Sequence, residues 1–193
     1  MNNVWFEPFV GNDYWGNGYN GKRILIIGNS HYCKDRDSCS CCGIDGCGFD
    51  GNSCSSFTID SITERYNAQD KFADALGGYD IGDYDDYMNE WNKVVFYNFL
   101  QTAVRYAKDR GRNCDYEESY DAFWEVLENF RPDGIIFWGN RVWNMAPDYN
   151  GDDCYELGDG TEIPALQVCH PAAWANFNYE NVHNEIQDFV NNL

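Results

Sequence analysis

The sequence predicts an α/β fold in which a parallel sheet carries helices on both faces. Three observations carry that expectation. Four short apolar runs, Ile24–Ile27, "VVFYNFL" from Val94, "GIIFWGN" and "IPALQVCHP", have strand length and are bounded by turn residues. Helical apolar patterns lie between these runs, the alternation expected of parallel strands joined by crossover helices. Each run also ends in polar or aromatic groups, and the carboxyl ends of strands in such sheets are where ligands bind.

The first strand belongs to "KRILIIGNSHYC", where four apolar residues run into Gly28 and then Asn29, Ser30, His31, Tyr32 and Cys33. A helix is predicted from about Ser56 to Tyr66, with Ile59, Ile62 and Tyr66 at helical spacing. The acidic and aromatic stretch "YDIGDYDDYMNEWN" leads to the second strand, which ends at Asn98. "SYDAFWEVLENFRPDG" places Phe123, Val126, Leu127 and Phe130 on one helix face, with Ser119 as a candidate N-cap and Pro132 as a stop. The third strand follows directly. The fourth is reached through a "YELGDGTEIP" hairpin, in which Gly158–Asp159–Gly160 is turn chemistry. A last amphipathic helix carries Val182, Ile186, Phe189 and Val190.

A chain of 193 residues, 44% hydrophobic and 17% aromatic, can bury one good core, so residues 1–193 are read as a single domain. Its apolar runs are far shorter than the ~20 residues of a membrane helix. "MNNVWFEPFV" has neither the charged start nor the apolar stretch of a secretion signal, so no membrane partner and a cytoplasmic location are expected. Thirteen Lys and Arg against 32 Asp and Glu give a net charge of −19, a field that repels phosphate backbones at long range. "RYAKDRGR", Arg105 to Arg112, is a local basic patch, which at helical spacing is also what a solvated face looks like.

Six of the nine cysteines, Cys33, Cys39, Cys41, Cys42, Cys47 and Cys54, fall in one Gly-, Ser- and Asp-rich insertion at 33–54. Such a segment cannot fold around a core of its own. In a reducing compartment a metal would supply the missing order, and a structural zinc is the reading taken, against reduced thiols, disulfides or an iron–sulfur cluster. Cys114, Cys154 and Cys169 read as small buried apolar residues.

The strand tips carry the functional signal: "GNSHY" after Ile27, Asn98 after Tyr97, "WGN" after Phe137 and "HPAAW" after Cys169. Taken singly, Asn98 could cap a helix beginning at Phe99, and His170 could be a hydrogen-bonded structural histidine. Four convergent tips favour one pocket instead.

In this order and spacing, "IGNSHY", "VVFYNFLQ", "IIFWGN" and "VCHPAAW" resemble the motifs of the uracil-DNA glycosylase superfamily over roughly Lys22 to Phe177, and more narrowly a bacterial and phage-type branch with a GxSHY first motif followed by a cysteine-containing insertion. The resemblance implies a three-layer α/β/α sandwich with a central four-stranded parallel sheet. It also implies base extrusion and cleavage of the glycosidic bond through an oxocarbenium-like state. Under it Tyr32 packs against the pyrimidine C5 edge and Asn98 reads the Watson–Crick edge, with Trp138 and Gly139 completing the base pocket. His170 hydrogen-bonds the leaving base, and Trp174 is the wedge that fills the vacated stack.

The departure is at Ser30, preceded by Asn29, where the family's usual water-activating aspartate would stand. A neutral hydroxyl neither stabilises a sugar cation by charge nor acts unaided as a base. His31 could substitute as a base or join Cys33 as a ligand, or simply pack against the cysteine loop. The expected partner is therefore nucleic acid, as single-stranded DNA or a nucleoside. The alternatives are a nucleotide-ligand binder, or a catalytically inactive acidic protein whose Asp80, Asp83, Asp85, Asp86 and Glu90 mimic phosphates toward a nucleic-acid-binding protein.

Overall fold

The computed structural model describes residues 1–33, 54–106, 109–147, 154–173 and 176–193. In chain order the elements are β1 (Phe9–Val10), β2 (Ile24–Gly28), a 3-10 turn (Cys54–Ser56), α1 (Phe57–Thr63), α2 (Asn67–Gly77), α3 (Tyr84–Trp91), β3 (Val94–Asn98), α4 (Asn113–Glu117), α5 (Tyr120–Phe130), β4 (Gly134–Trp138), α6 (Asn140–Met145), β5 (Cys154–Glu156), β6 (Glu162–Val168) and α7 (Tyr179–Asn191).

The strands form one sheet in the order β1-β3-β2-β4-β6-β5. The inner four run parallel, while β1 and β5 pair antiparallel with β3 and β6. This corrects the expected four-stranded sheet to a mixed six-stranded one. The added edges are two and three residues long, too short to show a strand period in sequence.

Alternation along the strands divides the core in two. Leu25, Ile27, Val95, Tyr97, Ile135 and Phe137 face α5, where Phe123, Val126 and Leu127 meet them. Ile24, Ile26, Val94, Phe96, Ile136 and Trp138 face α2, α3 and α7, represented by Phe72, Trp91 and Ile186. Each fully buried Ile, Leu or Phe contributes ~1.5–3 kcal/mol relative to an exposed one, so covering both faces is what makes β2, β3 and β4 continuous apolar runs.

Several local expectations change. The first helix ends at Thr63 rather than Tyr66, because Arg65 turns the chain at φ 54° and α2 starts at once. Ser119 stands at the start of α5 but caps nothing: its hydroxyl donates to the Asp115 carbonyl at 2.7 Å and accepts from the Gln101 N–H at 3.0 Å. No helix follows Asn98, which removes its capping alternative. The described residues of the 105–112 stretch are irregular, and Arg112 is held at 2.6 Å by Asp115 as α4 begins. The hairpin forms as expected, closed by reciprocal bonds around Leu157, Gly160 and Thr161.

Among the described residues no helix is long and apolar enough to cross a membrane.

Candidate functional site

Because β3 and β4 flank β2 on opposite sides, the carboxyl ends of the parallel strands open into a crevice where strand order reverses. The chain beyond β2 is held there by continued pairing. Phe99 and Leu100 donate to the carbonyls of Gly28 and Asn29 at 3.0 Å, and His31 and Cys33 exchange bonds with Val104 at 2.8 Å. The crevice deepens into a cavity of about 600 Å³. Asn29, Ser30, His31, Tyr32, Asn98, Trp138 and His170 line it from the sheet side, so six predicted site residues share one cavity with His31.

Two glycines make the approach of the tips possible. A methyl group on Gly28 would collide with the side-chain oxygen Oδ1 of Asn98 and come within 2.9 Å of Phe96 Cζ. Gly139, at φ 83°, leaves room for the backbone after β6: a Cβ there would lie 2.9 Å from that of His170. Gly139 is not itself among the lining residues, and its contribution is to bring His170 in.

The two histidines differ in protonation and in partners. His31 is 7% exposed and packed on Phe6 and Phe57, with ring centroids 4.7 and 5.8 Å away. Burial holds its imidazole down to about 3, so it is neutral near pH 7. Its Nε2 lies 3.0 Å from Asn98 Nδ2 and 2.9 Å from Thr58 Oγ1. An amide nitrogen only donates, which makes Nε2 the acceptor and leaves the proton on Nδ1. His31 is therefore neither a proton shuttle near neutrality nor a ligand through that nitrogen; it orients Asn98.

His170 is also held neutral, burial pushing its imidazole below the usual range. The Ala172 N–H donates to Nδ1 at 3.0 Å, so the neutral ring carries its proton on Nε2. The cavity thus has a fixed, uncharged imidazole N–H donor.

Asn98 is 5% exposed and gives one of its two N–H bonds to His31, its second N–H and its side-chain oxygen having no hydrogen-bond partner among the described residues. Asn29 is clamped at both ends: the Tyr116 hydroxyl donates to its Oδ1, and its Nδ2 donates to Ser30 Oγ at 3.1 Å. Ser30 accordingly has its hydroxyl oxygen oriented by Asn29. Trp138 lies 4.7 Å from both Phe72 and Phe96, and its buried indole N–H has no acceptor among the described residues.

The opposite wall, formed by α1, α2 and their junction, was not legible as a site in the sequence. It contributes Asp60, Ser61, Glu64, Tyr66, Gln69 and Lys71. Ser56 donates to Asp60 at 2.9 Å and Gln69 donates to Ser61 at 3.2 Å, so the wall is an ordered polar surface. The available signal was the four-residue spacing of Asp60 and Glu64, which also describes any solvated helix face. Tyr32 and Tyr66, each 52% exposed, bring aromatic rings to the cavity from the two walls.

Trp174 and Cys39, Cys41, Cys42 and Cys47 lie outside the described residues. Cys33 and Cys54, which bracket the insertion, both pack in a small cluster with Phe6 and Ala103, whereas Cys114 is exposed and Cys154 and Cys169 are only partly buried, which corrects the expectation that these three are core residues. Among the described residues no group of three or more His, Cys, Asp or Glu side chains is arranged to hold a metal.

No protein-family model matches the chain, and no curated protein matches it. Geometry and chemistry alone therefore carry the functional argument.

Proposed function

We propose that this protein is a divergent uracil-DNA glycosylase-like enzyme that binds a pyrimidine base at the strand tips and hydrolyses its N-glycosidic bond. The observation that carries this reading is that Tyr32, Asn98 and His170, distant in sequence, line one cavity in which His170 is a neutral Nε2–H donor.

That donor suits a leaving group that develops negative charge. As the bond from C1′ to the base breaks, its electron pair stays with the base, and an N–H fixed beforehand stabilises the resulting oxyanion without reorganisation. Water adds to C1′, and its proton ends on the departing base. Asn98, held by His31, offers its remaining N–H and its carbonyl oxygen to the base edge, while the exposed Tyr32 ring supplies a stacking face. Ser30, oriented by Asn29, is placed to position the water.

Structural zinc in the 33–54 insertion is part of the same proposal, resting on six thiols in a Gly-, Ser- and Asp-rich segment. The phosphate-mimic alternative loses some of its residues to the fold, since the Asp83 carboxylate accepts from the backbone N–H groups of Asp85 and Asp86 at the start of α3 and Glu90 is paired with Lys93 at 2.7 Å.

The test is release of free uracil from deoxyuridine and from uracil-containing single-stranded DNA, the latter also scored by alkaline strand cleavage. The wild type should release base. His170→Ala should do so about 10²–10³-fold more slowly, as expected for loss of one preorganised donor. No release from any pyrimidine substrate would leave a non-catalytic binder.

A further inference from the structure

The wall contributed by α1 and α2 bears on what is attached to the base. Its charged lining residues are two carboxylates and one ammonium, Asp60, Glu64 and Lys71, on a chain of net charge −19. Asp60 and Glu64 stand one helical turn apart, so they present to the same side. An ionised carboxylate only accepts hydrogen bonds, and it therefore suits hydroxyl donors and disfavours phosphate oxygens. A duplex- or strand-binding site would show the reverse, with Lys and Arg following the backbone. Two half-exposed tyrosines, Tyr32 and Tyr66, offer uncharged stacking surface at the same cavity.

Resting on the base-binding reading above, we infer that the preferred ligand is an unphosphorylated nucleoside. Its base sits at the strand tips, its sugar hydroxyls donate to Asp60 and Glu64, and a 5′-phosphate or polymer backbone is repelled. The cavity, at about 600 Å³, holds a nucleoside without requiring the rest of a strand.

Calorimetric titration tests this with uracil, the hydrolysis-resistant C-nucleoside pseudouridine, its 5′-monophosphate, and a single-stranded oligonucleotide carrying one pseudouridine. Pseudouridine should bind about tenfold or more tighter than the monophosphate or the oligonucleotide near 0.15 M salt. Raising the salt should strengthen monophosphate binding by screening the repulsion and leave pseudouridine binding unchanged, a readout that needs no variant. Asp60→Asn and Glu64→Gln should weaken pseudouridine while narrowing its advantage over the monophosphate.

Monophosphate or oligonucleotide binding as tight as that of pseudouridine, or weakening as salt is added, overturns the inference and leaves the base site standing. Failure of both uracil and pseudouridine to bind overturns the base site and this inference together.

Discussion

At the scale of single residues, the two histidines show how environment divides one side-chain type into two roles. His31 titrates near 6.5 when unfolded and at about 3 when folded, so the unfolded chain binds its proton first. Its contribution to stability is complete above pH 6.5 and is lost as pH falls from there toward 3, by up to about 5 kcal/mol across the whole interval. Denaturant titrations at pH 7 and 5 should show the wild type losing about 2 kcal/mol more than His31→Gln, which lacks the proton-binding step. An identical loss in both proteins would mean that His31 is not held neutral.

In the proposed reaction the active form of His170 is the neutral one, whose Nδ1 accepts from the Ala172 N–H. Its pKa lies below the ordinary histidine value, so base release should be flat through pH 7 and decline only at acid pH, as protonation breaks that bond. A decline centred above pH 6.5 would contradict the structure. Tyr32, Asn98 and His170 were legible as a constellation because each follows an apolar run. The His31–Asn98 bond was not, because pairing between side chains 67 residues apart depends on sheet register.

At the scale of elements, legibility followed burial. The strands β2, β3 and β4 lie between two helical layers and read as unbroken apolar runs, and α5 and α7 show regular apolar spacing over three turns or more. Helices α4 and α6 have five and six residues, too few for a periodic signal, and α2 carries its buried face as Gln69, Phe72, Ala73 and Leu76, a pattern diluted by small and polar residues. The α2 part of the cavity wall is illegible for the same reason, whereas α1 is expected as a helix and its Asp60 and Glu64 read only as a solvated face.

The strand tips make a sharper prediction. Gly139→Ala combines a left-handed backbone with a 2.9 Å approach to His170 Cβ, so it should cost about 1–2 kcal/mol in chemical denaturation and reduce base release more than it reduces stability, by displacing His170. A destabilised variant with unaltered release rates would show that the approach of β4 to β6 does not set the histidine. For the insertion, protein purified without added metal should carry about one zinc per chain by elemental analysis. A content below about a tenth of that would leave the thiols without this role.

At the scale of the whole molecule, charge is the dominant long-range term. Thirteen basic side chains face 32 acidic ones, and Arg23, Arg65, Lys93, Arg112 and Arg131 are already engaged in ion pairs with carboxylates. Most remaining carboxylates therefore repel one another across the surface, and compaction brings them closer than they lie in the unfolded chain. Salt acts on two opposing terms. It weakens exposed ion pairs, typically worth ~0–1 kcal/mol each, and it screens the summed repulsion over distances beyond the ~8–10 Å Debye length. With so large an excess of one sign the second effect wins. The thermal midpoint measured in sodium chloride should rise by several degrees between ~0.02 and ~0.5 M, a shift corresponding to about 1 kcal/mol or more for a chain of this size. A midpoint that falls with salt would mean that local pairing outweighs the net field, and the phosphate rejection inferred for the cavity would then have to come from Asp60 and Glu64 alone.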